Sequence, residues 1–198
     1  RTVIAVLIPA YNAAATVGEV VSGARRHLPR VLVVDDGSGD ATSLAAAAAG
    51  ASLIRHPVNR GKGAALRTGF AQLLSEDALA IITLDADSQH DPDDIPRFLE
   101  AFHARHADLI IGSRAEAFSA MTRGRRTGNR FSCEALRFFT GLAIPDSQSG
   151  FRLHTAEFLR SFTLRRDAYD AEMEVLLHAA HGRPVEVLGE VTAASLHG

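Results

Sequence analysis

The sequence predicts an α/β fold with a mainly parallel central sheet covered by helices on both faces. Three observations predict it. Several segments are continuous apolar runs of strand length, the pattern of strands buried on both faces. Segments of helical periodicity alternate with them, and this β-α-β-α rhythm implies parallel strands joined by crossovers. Polar and charged residues collect immediately after each predicted strand, where open α/β sheets bind ligands.

The first strand is Val3-Ile4-Ala5-Val6-Leu7-Ile8, and Ala13 to Leu28 carries helical periodicity. Val31-Leu32-Val33-Val34 is a second buried strand, followed by an alanine-rich helix over Thr42 to Ala49. Ser52-Leu53-Ile54 is a short third strand, with a helix from Gly63 to about Ser75. Leu79 to Leu84 is the fourth strand and Asp93 to His106 a helix with Pro92 near its start. Asp108-Leu109-Ile110-Ile111 is the fifth strand. Ala115 to Thr127 is polar and arginine-rich and reads as a loop, Asn129 to Thr140 as a helix and Ala143 to Gly150 as a loop. Phe151 to His154 is a candidate strand, Ala171 to His181 a helix, and Val185 to Val187 the last strand.

At 198 residues the chain has the size of one domain, and 46% hydrophobic with 22% charged residues is ordinary globular composition. A net charge of −2 offers no general attraction to nucleic acid or to an anionic membrane, so an anionic ligand needs local groups. Lys62 is the only lysine. Cys133, the only cysteine, excludes an internal disulfide and argues against a cysteine-built metal site. Its apolar-periodic surroundings suit a buried thiol, and a reducing cytoplasm fits. No apolar run approaches the ~20 residues of a membrane span, and Thr2–Pro9 is too short for a signal peptide. The chain opens on Arg1 rather than methionine, so further residues at either end are expected.

Chemistry gathers at five strand ends: Pro9-Ala10-Tyr11-Asn12, Asp35-Asp36-Gly37-Ser38, Asn59-Arg60-Gly61-Lys62-Gly63, Asp85-Ala86-Asp87-Ser88-Gln89-His90 and Gly112-Ser113-Arg114. Two carboxylates at one strand end repel and lose hydration unless a cation neutralises them. Mg2+ and Mn2+ suit such a pair and bridge it to substrate phosphates. Asp87 then ligates most directly, Asp85 ligates or holds the metal's waters, and Gln89 and His90 complete or orient the shell. Asp91, just before Pro92, is assigned to helix capping. Asp35-Asp36-Gly37-Ser38 suits either a base or ribose contact or a plain Asp-Gly turn. The Asn59–Gly63 stretch is glycine-rich and basic at a helix start, which favours an anion. It matches neither the phosphate-binding P-loop pattern nor G-x-G-x-x-G, against a nicotinamide enzyme. Arg123, Arg125, Arg126 and Arg130 form either a solvated face or, with Arg114 and Arg152, a phosphate-recognising group.

These motifs, in this order and closed by Asp146-Ser147-Gln148-Ser149-Gly150-Phe151-Arg152, resemble family 2 glycosyltransferases, and within them the dolichol-phosphate mannosyltransferase and polyprenyl-phosphate glycosyltransferase branch. The resemblance spans about residues 3–190. It implies a GT-A fold, a single Rossmann-like three-layer α/β/α domain over residues 1–198. About 1–112 would form the nucleotide-sugar part and about 113–198 the acceptor side. It implies inverting transfer of one sugar from a UDP- or GDP-sugar with Mg2+ or Mn2+. Pro9, Tyr11, Asn12, Asp36, Lys62, Asp85 and Ala86 would line the nucleotide-sugar site, and Asp85, Asp87 and Gln89 would hold the metal. Asp87, Arg114, Arg126 and Asp146 would serve the reaction, the two arginines facing phosphates, while Ser149 and Arg152 would bind acceptor. Asp170-Ala171-Glu172-Met173-Glu174 resembles an acidic helix start found late in the family.

Ala13 stands where many relatives carry glutamate. The Gln-x-x-Arg-Trp motif of processive synthases is absent, as is tryptophan altogether, which points to single-sugar transfer. The expected acceptor is a lipid phosphate at the membrane surface, with the chain in the cytoplasm or peripheral at the inner membrane face. A hydroxyl acceptor, with Asp146 or Glu172 as base, is the alternative. A non-catalytic nucleotide-sugar-binding module and a sugar-1-phosphate nucleotidyltransferase are further readings; the latter usually has a glycine-rich loop where Pro9–Asn12 stands.

Overall fold

The computed structural model describes residues 3–105, 107–113, 149–165, 170–180 and 182–188. Among the described residues, seven strands form one sheet: β1 Val3–Ala10, β2 Val31–Asp35, β3 Ser52–Arg55, β4 Ala78–Thr83, β5 Leu109–Gly112, β6 Arg152–Thr155 and β7 Val185–Leu188. Their spatial order is β3-β2-β1-β4-β6-β5-β7. The first four strands pair in parallel, as do β5 and β7, while β6 runs antiparallel between β4 and β5. Strand order reverses at β1, with β2 and β3 on one side and β4 on the other. That reversal opens a crevice beyond the carboxyl ends of β1 and β4.

Helices α1 Val17–His27, α2 Thr42–Ala48 and α4 Ile95–Arg105 cover one face of the sheet, and α3 Lys62–Ser75, α5 Ala156–Arg160 and α6 Asp170–Ala179 cover the other. Alternate strand residues feed the two cores. Val6, Ile8, Val33, Ala80 and Ile82 meet α1 and α4, while Ala5, Leu7, Leu32, Val34 and Ile81 meet α3 and α6. Since both faces are apolar, the strands read as unbroken hydrophobic runs.

The structure differs from the sequence-based reading in four places. The first helix begins at Val17, because the amides of Ala13 and Ala14 donate to Thr42 Oγ1 (2.7 Å) and Asp40 Oδ2 (3.1 Å) and tie that stretch to the loop after β2. The fourth helix is preceded by a 3-10 turn over Pro92–Asp94, whose Asp93 amide donates to Asp91 Oδ1 at 2.9 Å. The strand near residue 152 is antiparallel, so the sheet is mixed. The helix α5, unforeseen, is capped by Thr155, whose hydroxyl accepts from the Phe158 amide. Cys133, the expected loop over 115–127, the helix over 129–140 and nearly all of the loop over 143–150 lie outside the described residues.

Phe98 of α4 is fully buried and stacks on Phe151 with ring centroids 4.2 Å apart. Phe98→Ala is expected to lower the unfolding free energy by about 3–5 kcal/mol, measured by urea denaturation. A loss below about 1 kcal/mol would show that this contact does not anchor the strand-end segment that carries Phe151.

Candidate functional site

The loops after β1 and β2 are zipped together. The Asn12 amide donates to Ser38 Oγ and the Gly39 amide to Asn12 Oδ1, each at 2.9 Å, alongside the Ala13 and Ala14 bonds. Asn12 adopts φ 50°, a left-handed conformation that asparagine tolerates better than most residues. Tyr11, beside it, is 51% exposed at the rim. Asp35 is fully buried at the end of β2 and accepts from the Ser38 amide (2.9 Å) and the Ser43 hydroxyl. Burial raises its pKa, but the bonds from Ser38 and Ser43, helped by Arg55, outweigh burial and hold the carboxyl below its ordinary value. Thr16 Oγ1 then donates to the Ala86 carbonyl at 2.6 Å, joining this zipped pair of loops to the segment after β4.

Asp36 also points inward. Its carboxylate accepts from the amides of Arg60 (3.0 Å) and Gly61 (2.7 Å), and His56 Nδ1 lies 2.7 Å away. It therefore organises the Asn59–Gly63 stretch, which leads into α3. Gly37, at φ 75°, makes the crossing possible: a Cβ there would stand 2.5 Å from the Val58 carbonyl carbon.

A small cavity at the β1/β4 junction is bordered by Lys62, Asp85, Arg152 and Glu172 on one side and by Leu66, Phe70 and Val175 on the other. Lys62, the first residue of α3, places its ammonium 2.6 Å from Asp85 Oδ1 and 2.6 Å from Glu172 Oε1. Burial alone would lower the lysine pKa, but the two carboxylates raise it well above the ordinary value. A Cβ on Gly150 would overlap the Asp85 carboxylate, so only glycine leaves that carboxylate its place. Thr83 Oγ1 holds the Gly150 carbonyl at 2.8 Å. Ser149 and Arg152 are interior residues. Arg152 donates from Nε to the Ser149 carbonyl (2.8 Å) and from Nη1 to the Glu172 carbonyl (2.9 Å), while Ser149 Oγ accepts from the Phe151 amide.

After β4, exposure alternates. Ala86, Ser88 and His90 are buried, while Asp87 and Gln89 are exposed. Ser88 sits at φ 58°, the Gln89 amide donates to Asp87 Oδ1 at 3.1 Å, and His90 lies edge-on to Phe151. No three His, Cys, Asp or Glu side chains converge on a metal position among the described residues. By donor chemistry, the carboxylates of Asp85 and Asp87 with the side-chain amide of Gln89 would suit Mg2+ or Mn2+ only in a site that substrate oxygens complete, and Lys62 stands on Asp85 there.

Arg114, Arg126 and Asp146, with Arg123, Arg125 and Arg130, lie outside the described residues. Sequence reasoning missed Thr16, His56, Thr83 and His154, and it quoted Gly150 in the closing motif without a role. Thr83 carried a usable signal, since it is a polar residue between Ile82 and Leu84 at the end of an apolar run. His154 is buried, edge-on to Phe70, and its imidazole is neutral: burial, reinforced by the Arg152 charge, pushes its pKa down to about 3.

The family model for glycosyl transferase family 2 matches residues 5–163. Among curated proteins, the UDP-N-acetylglucosamine–dolichyl-phosphate N-acetylglucosaminyltransferase of Methanococcus voltae is 30% identical, the alignment covering 87% of this chain and 78% of that protein. The undecaprenyl-phosphate mannosyltransferase of Micrococcus luteus is 32% identical over 80% of this chain and 68% of its own length. Among solved structures, glucosyl-3-phosphoglycerate synthase from Mycobacterium tuberculosis, in complex with Mn2+, UDP-glucose and phosphoglyceric acid, superimposes with a TM-score of 0.76. It is 23% identical and covers 97% of this chain and 72% of that one. At that identity the likeness establishes the fold.

Unfolded, the His154 imidazole returns to an ordinary pKa of 6.5, so below that pH the unfolded chain binds a proton that the native chain refuses. The stability this confers is present above pH 6.5 and is lost as pH falls toward about 3, with a slope approaching about 1.4 kcal/mol per pH unit. His154→Phe, which keeps an aromatic ring, should flatten the pH dependence of unfolding free energy between pH 6.5 and 4 relative to wild type. Parallel curves would mean that the native imidazole takes up its proton normally.

Proposed function

The chain belongs to glycosyl transferase family 2 and is a hexosyltransferase on the GT-A fold, and from that premise we propose that it moves one sugar from a UDP- or GDP-sugar to a polyprenyl phosphate with Mg2+ or Mn2+. The observation that carries this reading is the position of Asp85 and Asp87 at the end of β4, beside the point where strand order reverses. The donor diphosphate would lie there, and Asp85, Asp87 and Gln89 would hold the cation, Asp87 and Gln89 being exposed. Pro9, Tyr11, Asn12 and Ala86 border the nucleotide, and Asp36 and Lys62 support that border from within. When bound, the cation offsets the charge that develops on the leaving diphosphate.

The lipid phosphate attacks the anomeric carbon from the face opposite the leaving group. A phosphate oxygen–carbon bond forms as the bond from carbon to the diphosphate oxygen breaks, with inversion, and the electron pair leaves with the nucleoside diphosphate. Such an acceptor is already an anion and needs no general base. The Glu172 carboxylate, occupied by Lys62 at 2.6 Å, suits that arrangement better than it suits a hydroxyl acceptor. Arg114, Arg126 and Asp146 complete the reacting end in this reading, and Ser149 and Arg152 build the acceptor-side wall. Residues 1–112 thus carry the donor part and 113–198 the acceptor part. No helix among the described residues is long and apolar enough to cross a membrane. The proposed placement, with the crevice at the lipid surface, follows from a lipid-phosphate acceptor.

Asp87→Ala should reduce metal-dependent transfer of labelled sugar to a short-chain polyprenyl phosphate by at least about a hundredfold while leaving the fold intact. Undiminished transfer in that variant would remove the metal assignment. A panel of nucleoside diphosphates with Mn2+ should raise the apparent melting temperature for one base class, since a ligand at 100 times its Kd stabilises by about 2.7 kcal/mol. Sugar transfer to hydroxyl acceptors in preference to the lipid phosphate would overturn the acceptor assignment.

A further inference from the structure

We propose that the Lys62 ammonium is a displaceable occupant of the Asp85 carboxylate, yielding Asp85 to a divalent cation while staying on Glu172, so that loading of the donor site is felt at the start of α6. The proposal rests on the metal-dependent reading above and assigns Lys62 a positioning role.

The geometry at Asp85 leaves little choice. One carboxylate oxygen, Oδ1, holds the ammonium at 2.6 Å, and the carboxylate is pressed against Gly150, where even a methyl group would overlap it. A cation that takes this carboxylate therefore meets Lys62 on it. Two positive groups sharing one carboxylate repel each other, and the singly charged, rotatable ammonium is the one that gives way. It has a place to go, because Glu172 Oε1 already lies 2.6 Å from it. Glu172 is a buried residue near the beginning of α6, and its own carbonyl accepts from Arg152 Nη1 at 2.9 Å. A change at Lys62 thus reaches α6 and the turn before β6 together.

Residue type points the same way. The chain has 21 Lys and Arg residues, of which Lys62 is the single lysine and the remaining twenty are arginines. Arginine presents a planar fork that binds best to one partner through two parallel bonds, whereas an ammonium can hold two carboxylates singly and release one. Among the described residues an arginine bridges two carboxylates elsewhere, Arg183 on Asp108 and Glu157, while the bridge beside the strand-end carboxylates is made by the compact, rotatable group.

The lone lysine also supplies its own probe. In wild-type protein labelled with 13Cε-lysine, Lys62 gives the only side-chain lysine resonance, read at a fixed pH. Added Mg2+ should move that resonance saturably, with the midpoint at which Mg2+ competes off Mn2+ followed by electron paramagnetic resonance of the nucleotide-free protein. Lys62→Met, checked for folding by circular dichroism, should bind Mn2+ about tenfold tighter without nucleotide, and Lys62→Arg should not. If Mn2+ binds wild type but Mg2+ leaves the lysine resonance unmoved, the displacement is overturned and the metal reading stands. If Mn2+ binds neither wild type nor Lys62→Met, the metal reading falls and takes the proposal with it.

Discussion

Negative charge at the end of an apolar strand must be neutralised within a few ångströms, and a single ammonium does this for Asp85 and Glu172 at once. β4 is almost wholly apolar, and its residues Ala80, Ile81 and Ile82 are completely buried, so Asp85 emerges from the driest part of the molecule. Three elements distant in sequence meet on that charge: the first residue of α3, the segment after β4 and the first turn of α6. Deleting one member of such a buried group leaves its partners uncompensated, which typically costs about 3–5 kcal/mol. The crevice therefore takes its shape from the same contact that offsets its charge.

The surrounding loops are held by side chains that a ligand-centred reading would assign to the ligand. Asp35 fastens the loop after β2, Asp36 fastens the loop before α3, and Asn12 bonds through both its amide and its side chain to the neighbouring turn. Each satisfies backbone amides that would otherwise be orphaned at a strand end. Irregular backbone in these loops is thereby fixed ahead of any ligand, and pre-organisation of this kind lowers the ordering cost of binding. Exposed groups stand beside them: Tyr11 and Asn12 after β1, Asn59 and Arg60 before α3, and Asp87 and Gln89 after β4.

Much of the fold was legible because burial on both faces writes itself into sequence as unbroken runs such as Val3–Ile8 and Val31–Val34. The Asp85–Asp87 pair was legible too, since carboxylates directly after such a run have few structural explanations. The direction of β6 was not legible: four residues pair equally well either way, and only the neighbouring strands decide. Nor was the inward turn of Asp36, because a strand-end aspartate looks alike whether it faces a ribose or the amides of Arg60 and Gly61. The Lys62–Glu172 contact joins residues 110 positions apart, and no local pattern announces such a meeting.

Among the described strands, β6 alone runs against its neighbours, and this has an evolutionary consequence. Because β6 is antiparallel to β5, Ile111 near the exit of β5 pairs with Arg152 at the entrance of β6, so the intervening chain departs and returns at adjacent points on the crevice edge. Closing a loop between neighbouring points costs free energy that rises only slowly with length, about 0.6 kcal/mol per doubling. Chain length between those two points can therefore change at little cost to the sheet. Such a layout tolerates insertion and deletion between residues 112 and 152 while the strands on either side keep their register.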